Sequence, residues 1–270
     1  MTPYVFTIDD NIRFLQEITE QGCAPFAHPY FGLLLRLHAR YGVKIQLNLF
    51  FSYAPGGFSL CEVPDTLRTV FEQNADWLRV SFHARHNDPP FPYETDTAAL
   101  QRDYSLGMQQ LHRIAGSAVA KTTTLHYVAA TKQGCAALRR AGVRGLVGMF
   151  YENEQPPRCN LHYYLTPQQC ASVRETGLWY DAETDLWFLR NHLILNQLSR
   201  EALPQALAAL PQQAVYHIMI HEQYFYPDYE RYQPDFAQKL ELALEFFTRQ
   251  GAQSVFFETL CSALPPDTAK

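Results

Sequence analysis

Apolar runs that stop abruptly at acidic or imidazole side chains recur along the chain. The first, Tyr4-Val5-Phe6-Thr7-Ile8, ends in Asp9 and Asp10. A second, Leu78 to Phe82, ends in His83 and meets His86 three residues later, and a third, Val215 to Ile220, ends in His221 and Glu222. Further strands are predicted over residues 43–51, 118–127 (ending near His126), 143–150 and 186–195, with a short closing one at 255–257. Apolar spacing of three and four residues predicts helices between them. They cover residues 30–39, the stretch opened by Pro64 and Asp65, and residues 95–115, 131–141, 199–210 and 235–250. In the 95–115 helix Asp96 and Asp103 fall on the exposed side. Residues 12–29, with Gly22 and Pro25, read as a connection.

Strands alternating with helices, and no two-stranded hairpin signal, predict an α/β fold with a mainly parallel sheet. About seven strands are enough to close an irregular (β/α) barrel. The chain is expected to form one domain over residues 1–270, with a loop-rich insertion near 151–177 where Pro156, Pro157 and Pro167 break the pattern. The Asn87 to Tyr93 loop, rich in proline, is expected to wall a cleft. In such folds sites assemble at the carboxyl ends of the strands, which is where the acidic pair and the histidines fall.

Composition narrows the function. With 47% hydrophobic and 18% charged residues the 270-residue chain can bury a substantial core. A net charge of −5 and a pI near 6.0 give no basic field for nucleic acid or an anionic membrane surface. No secretory leader pattern and no apolar span of about 18 residues is evident, so a cytoplasmic location is expected. The six cysteines lack paired short spacings and read as reduced thiols. No glycine-rich phosphate loop follows the first strand, which disfavours nucleotide chemistry.

Two adjacent carboxylates at a strand mouth need a cation, protons or hydrogen bonds to offset their burial. Asp10, His83 and His86 would give an Asp/His/His set from two strand ends. Such nitrogen and oxygen donors suit a divalent metal, Zn²⁺ first, with Co²⁺, Ni²⁺ or Mn²⁺ as alternatives. If only one of the two aspartates reaches the ion, the other is free to take a proton from the water it activates. His221 could then serve as acid toward a leaving group. His126, Glu222 and Tyr224 are candidates for substrate contacts, with Tyr226 on the same rim and His192 a weaker candidate.

At these residues the sequence resembles the polysaccharide deacetylases of the NodB-homology type. Thr7-Ile8-Asp9-Asp10 matches their Thr-Phe-Asp-Asp strand end. Residues His83-Ala84-Arg85-His86-Asn87-Asp88-Pro89 approximate their His-Ser/Thr-x-x-His-Pro motif, and Ile218-Met219-Ile220-His221 their final Leu-x-His motif. The resemblance implies a distorted (β/α) barrel, Asp9 as base, Asp10, His83 and His86 as ligands, and His221 as acid. It departs at Ala84 and Asn11, and neither an Arg-x-Pro-Tyr nor an Asp-x-x-Asp-Trp motif is present. Those departures point away from chitin or peptidoglycan. The expectation is a metal-dependent hydrolase of C–N amide bonds, removing the acetyl group from an acetamido function on a small sugar or related cytosolic molecule. The competing expectation is a carbohydrate or small-ligand binding protein that keeps the ion and has lost the reaction.

Overall fold

In a computed structural model, which describes residues 2–54, 57–86, 92–153 and 159–264, seven mainly parallel strands surround one buried interior. They are β1 (Pro3–Asn11), β2 (Ile45–Phe50), β3 (Leu78–Ala84), β4 (Thr122–Thr123), β5 (Gly145–Gly148), β6 (Leu186–Arg190) and β7 (Tyr216–His221). One sheet runs β7-β1-β2-β3 and the other β6-β5-β4, with every pairing among these strands parallel. The sheets meet on both flanks. Ala120 N–H donates to Val80 O at 2.8 Å on one side, and His192 N–H donates to His217 O at 2.9 Å on the other.

The strands are central because each is covered on both faces. Tyr4, Phe6 and Ile8 of β1 pack into the main core, where Tyr4 stacks on Phe247 of the helix Phe236–Arg249. The alternate residues turn inward. Val5 joins Val147, Trp187, Leu189, Val215 and Phe257 in an apolar plug between the sheets. Above it the interior becomes polar, with Thr7, Asp9, Gln46, Asn48, Ser81, His83 and Thr124 all buried. Polar residues two apart in otherwise apolar strands therefore mark the inner face.

Several elements differ from expectation. Residues 12–29 contain a helix, α1 (Arg13–Gln21), which buries Phe14, Leu15 and Ile18 and stops at Gly22, in the left-handed conformation at φ 60°. The strand expected over 118–127 shrinks to β4, because Gln46 takes the Thr122 carbonyl from inside and the chain turns at His126–Val128. The 151–177 stretch holds the helix Pro167–Thr176, started by a Thr166/Gln169 capping box, and an antiparallel pair, Glu152–Asn153 with Cys159–Asn160. Two other antiparallel pairs, Ser52–Tyr53 with Phe58–Ser59 and Leu178–Asp181 with β6, also went unsignalled. The closing strand is Gln253–Ser254 beside Pro3 and Tyr4, and Phe257 already begins a helix. Asp103, expected outside, is buried, with the Arg85 and Arg102 guanidinium groups 3.6 and 3.3 Å away. Residues 87–91 of the expected cleft wall lie outside the described residues.

Candidate metal centre and active site

The site begins with an irregularity in β1. Ile8 pairs with Leu47 and Asn11 with Leu49, so Asp9 and Asp10 together stand opposite Asn48 alone. Regular pleating would send adjacent side chains to opposite faces. The extra residue, with Asp10 in the left-handed region at φ 60°, lets both carboxylates line one cavity. Aspartate tolerates that conformation better than most residues. Asn11 locks the bulge: its Nδ2 donates to Ile8 O at 2.5 Å, and Tyr30 O–H donates to its Oδ1 at 2.7 Å.

Around Asp10 the chain gathers two imidazoles. Asp10 Oδ1 lies 3.1 Å from His83 Nε2 and 3.4 Å from His126 Nδ1, and the two ring nitrogens are 3.1 Å apart. His83 Nδ1 is 2.5 Å from the Thr124 carbonyl oxygen, which can only accept. The ring proton therefore sits on Nδ1, and Nε2 turns a lone pair toward Asp10. A carboxylate oxygen facing an imidazole lone pair repels it unless a proton or a cation stands between them. Three donors each about 2.0–2.1 Å from a tetrahedral ion stand about 3.3 Å from one another, the spacing these atoms have. Among the described residues, Asp10, His83 and His126 are the group of three whose ligand atoms lie within 4.8 Å of one another.

His86 is not in that group and does not line the cavity. The strand ends at Ala84. Beyond it Arg85 is tied outward, its carbonyl accepting from Ser52 N–H at 2.8 Å and its N–H donating to Tyr93 Oη at 3.0 Å. His126 stands where His86 was expected. It is brought in by the turn after β4, with Tyr127 and Val128 at positive φ and the Phe50 ring edge-on to its imidazole at 4.9 Å. A histidine in a run read as plain strand gave only the weak signal of a strand end.

Asp9 is held apart from this trio. Its Oδ1 accepts from Asn48 Nδ2 at 2.5 Å and from Thr7 Oγ1 at 3.4 Å. Asn48 cannot flip, because its own Oδ1 accepts from Gln46 Nε2 at 2.9 Å and Ser81 Oγ at 2.5 Å. Gln46 and Asn48, two apart in a buried strand, carried a sequence signal that an apolar reading passed over.

Burial raises the Asp9 carboxyl above its ordinary value, against the pull of His83, His221 and Asn48. Burial also opposes ionisation of Asp10, but His126 and His83, bonded to it, hold it well below the usual range. Burial lowers the His126 ring. The same burial is outweighed at His83 by Asp10 and Asp9, which raise it.

His221 ends β7 in register with Asp9. Its Nδ1 lies 2.9 Å from Asn196 Oδ1, which also accepts the His221 backbone N–H at 3.3 Å, so Nδ1 is the donor and Nε2 is the ring nitrogen left over. His221, Tyr224 and Gln223 line the cavity, and Gln223 Nε2 donates to Asp10 Oδ2 at 2.7 Å. Glu222 does not line it. Its carboxylate caps α1, accepting the N–H groups of Ile12, Arg13 and Phe14 at 2.7, 3.2 and 2.7 Å and the Tyr226 hydroxyl at 2.7 Å. Tyr226 is buried beneath the Arg13 guanidinium rather than on the rim. His192 accepts the His217 backbone N–H at 3.1 Å, outside the main cavity wall.

No protein-family model and no curated protein matches the chain. Solved structures do. A 4-alpha-glucanotransferase from Thermococcus litoralis superposes with a TM-score of 0.60 at 12% identity, covering 98% of this chain and 41% of its own. The chain thus spans about two-fifths of that enzyme's length. A peptidoglycan N-acetylglucosamine deacetylase gives 0.54 at 12%, covering 95% and 86%. A family 4 acetyl xylan esterase from Clostridium thermocellum, in complex with a cobalt ion, gives 0.50 at 11%, covering 99% and 96%. At such identities the likeness is one of fold. What is shared is the irregular α/β barrel fold, the fold that the motif resemblance implied.

Proposed function

We propose that this protein is a divergent, metal-dependent deacetylase that cleaves the C–N amide bond of an acetamido group on a small sugar. The observation that carries the reading is the convergence of Asp10 Oδ1, His83 Nε2 and His126 Nδ1 at the edge lengths of a tetrahedron, with Asp9 and His221 on the same cavity.

The donors fit a divalent ion. One carboxylate and two imidazoles are a borderline-soft set suited to zinc, with cobalt, nickel or manganese as substitutes, and three protein ligands leave a position open. When bound, the ion supplies Lewis acidity, making water acidic near neutral pH and drawing charge from an acyl oxygen. Asp9, fixed by Asn48 and raised by burial, is matched to accept the proton of that water. His221, oriented through Asn196, delivers a proton from Nε2 to the departing amine. A cavity of about 350 Å³ suits a small molecule. Among the described residues no helix is long and apolar enough to cross a membrane.

The glucanotransferase likeness raises glycoside chemistry, which commonly uses two carboxylates facing each other across a sugar bond, about 5–9.5 Å apart. The carboxylates lining this cavity, among the described residues, are the neighbours Asp9 and Asp10. Asp10 is already engaged by His83, His126 and Gln223. Amide hydrolysis fits them better.

The reading is tested by assaying zinc- and cobalt-loaded protein for acetate release from N-acetylated monosaccharides and short oligosaccharides. Chelator-sensitive turnover is expected. Metal-loaded protein that binds these sugars and releases no acetate would favour a binding protein instead.

A further inference from the structure

Asn191 sits at the mouth of the barrel with none of its side-chain hydrogen bonds made to the described residues. It follows directly on β6, where its backbone N–H donates to Gly148 O at 2.7 Å, so its position is fixed by the sheet. The side chain is 7% exposed, and among the described residues neither Oδ1 nor Nδ2 has a hydrogen-bond partner. It lines the cavity that holds Asp9, Asp10 and His221, whose wall also includes Val147, Met149, Ile194 and Met219. It also lines an adjoining hollow that reaches Arg190, His192, Leu193 and Leu198, and the two spaces share Met149, Tyr151, Ile194 and Gln197.

A buried amide without partners is destabilising, and native structures rarely keep one that nothing completes. A ligand that completes it from the cavity has to offer both kinds of group, because the amide presents an acceptor and a donor side by side. Two adjacent ring hydroxyls of a sugar do this, one donating to Oδ1 and the other accepting from Nδ2. The N–H and C=O of a trans secondary amide point in opposite directions and cannot engage both atoms together.

We propose that Asn191 is a substrate-binding residue that reads a vicinal diol, holding the sugar ring at the junction of the two hollows while its acylamino group reaches the Asp10–His83–His126 centre. The inference rests on the deacetylase reading for its substrate class. Asn191 makes no hydrogen bond to Asp9, Asp10, His83 or His126, and its role is in binding.

The test compares two probes carrying the same acetamide, N-acetylglucosamine with its hydroxyls and N-cyclohexylacetamide without them, on zinc-loaded wild type, Asn191→Ala and Asn191→Asp. In Asn191→Ala, kcat/KM for N-acetylglucosamine is expected to fall about 10- to 100-fold, mainly through KM, with N-cyclohexylacetamide unchanged. Asn191→Asp, which keeps shape and loses the donor, should fall between. Equal losses on both probes, or none on either, would overturn the proposal.

Calorimetric binding of the same two compounds to zinc-loaded Asp9→Asn and Asp9→Asn/Asn191→Ala separates this proposal from the deacetylase reading. Diol-selective binding that depends on Asn191, with no acetate released by zinc-loaded wild type, leaves the diol site standing and removes the activity. Turnover with no such selectivity does the reverse, and absence of binding to either compound overturns the diol site.

Discussion

At the residue scale the account depends on which side chain completes the ligand set. His126→Ala should weaken zinc binding by at least about 100-fold, whereas His86→Ala should leave it within about 3-fold of wild type, both read by competition with a chromophoric chelator. Asp9→Asn should retain the metal and lose about 10²- to 10⁴-fold in kcat, read as acetate release. An active Asp9→Asn protein would remove Asp9 from the role of base. Asp9, Asp10, His83 and His221 were legible because each ends an apolar run. His126 was half-legible: its strand end was visible, but a spacing argument gave the ligand role to His86, three residues from His83. Spacing on one strand says nothing of a neighbouring strand's turn, and it is the turn at Tyr127 and Val128 that delivers the second imidazole.

At the element scale the bulge in β1 and the first turn of α1 are coupled through Asn11 and Glu222. Asn11→Ala removes the bonds to Ile8 O and Tyr30 Oη and should cost about 1–3 kcal/mol by urea denaturation, with loss of metal affinity because Asp10 is no longer held in the left-handed region. Glu222→Gln, by contrast, should cost a similar amount while kcat of the folded protein stays near wild type. Glu222 serves the helix N-terminus, where three N–H groups converge on it. Loss of turnover in metal-loaded, folded Glu222→Gln would place it in the site after all. α1 was missed although Phe14, Leu15 and Ile18 have helical spacing, because no side-chain cap precedes it. Its cap lies more than two hundred residues away, where no local motif could reveal it.

At the scale of the whole molecule the parallel α/β plan was legible from alternation alone, since seven strands with helices between them leave few arrangements. What was not legible was the division of the interior into an apolar floor around Val5 and a polar upper storey around Asn48. The polar storey includes His217, which is fully buried and bonds Thr7 Oγ1 at 3.1 Å through Nε2. Burial, with His192 nearby, depresses His217 to about 3, and burial with Arg190 depresses His192 to about 4. Both lie below the ordinary value of 6.5 that the unfolded chain restores. Their contribution to stability is therefore complete above about pH 6.5 and is lost as pH falls toward 3 to 4, because the unfolded state takes up protons that the folded state refuses. The urea midpoint should decline over that window by an amount on the order of a few kcal/mol, and His217→Gln should flatten part of the decline. An equally steep decline in the variant would assign the acid sensitivity to other groups.

The claim beneath all of this is that one ion joins Asp10, His83 and His126. Anomalous diffraction at the zinc edge from crystals grown with zinc measures it directly. A single strong peak about 2.0–2.2 Å from Asp10 Oδ1, His83 Nε2 and His126 Nδ1 is the expected result. A peak bound by His86 in place of His126, or fully zinc-loaded crystals with no density among the three donors, would contradict it.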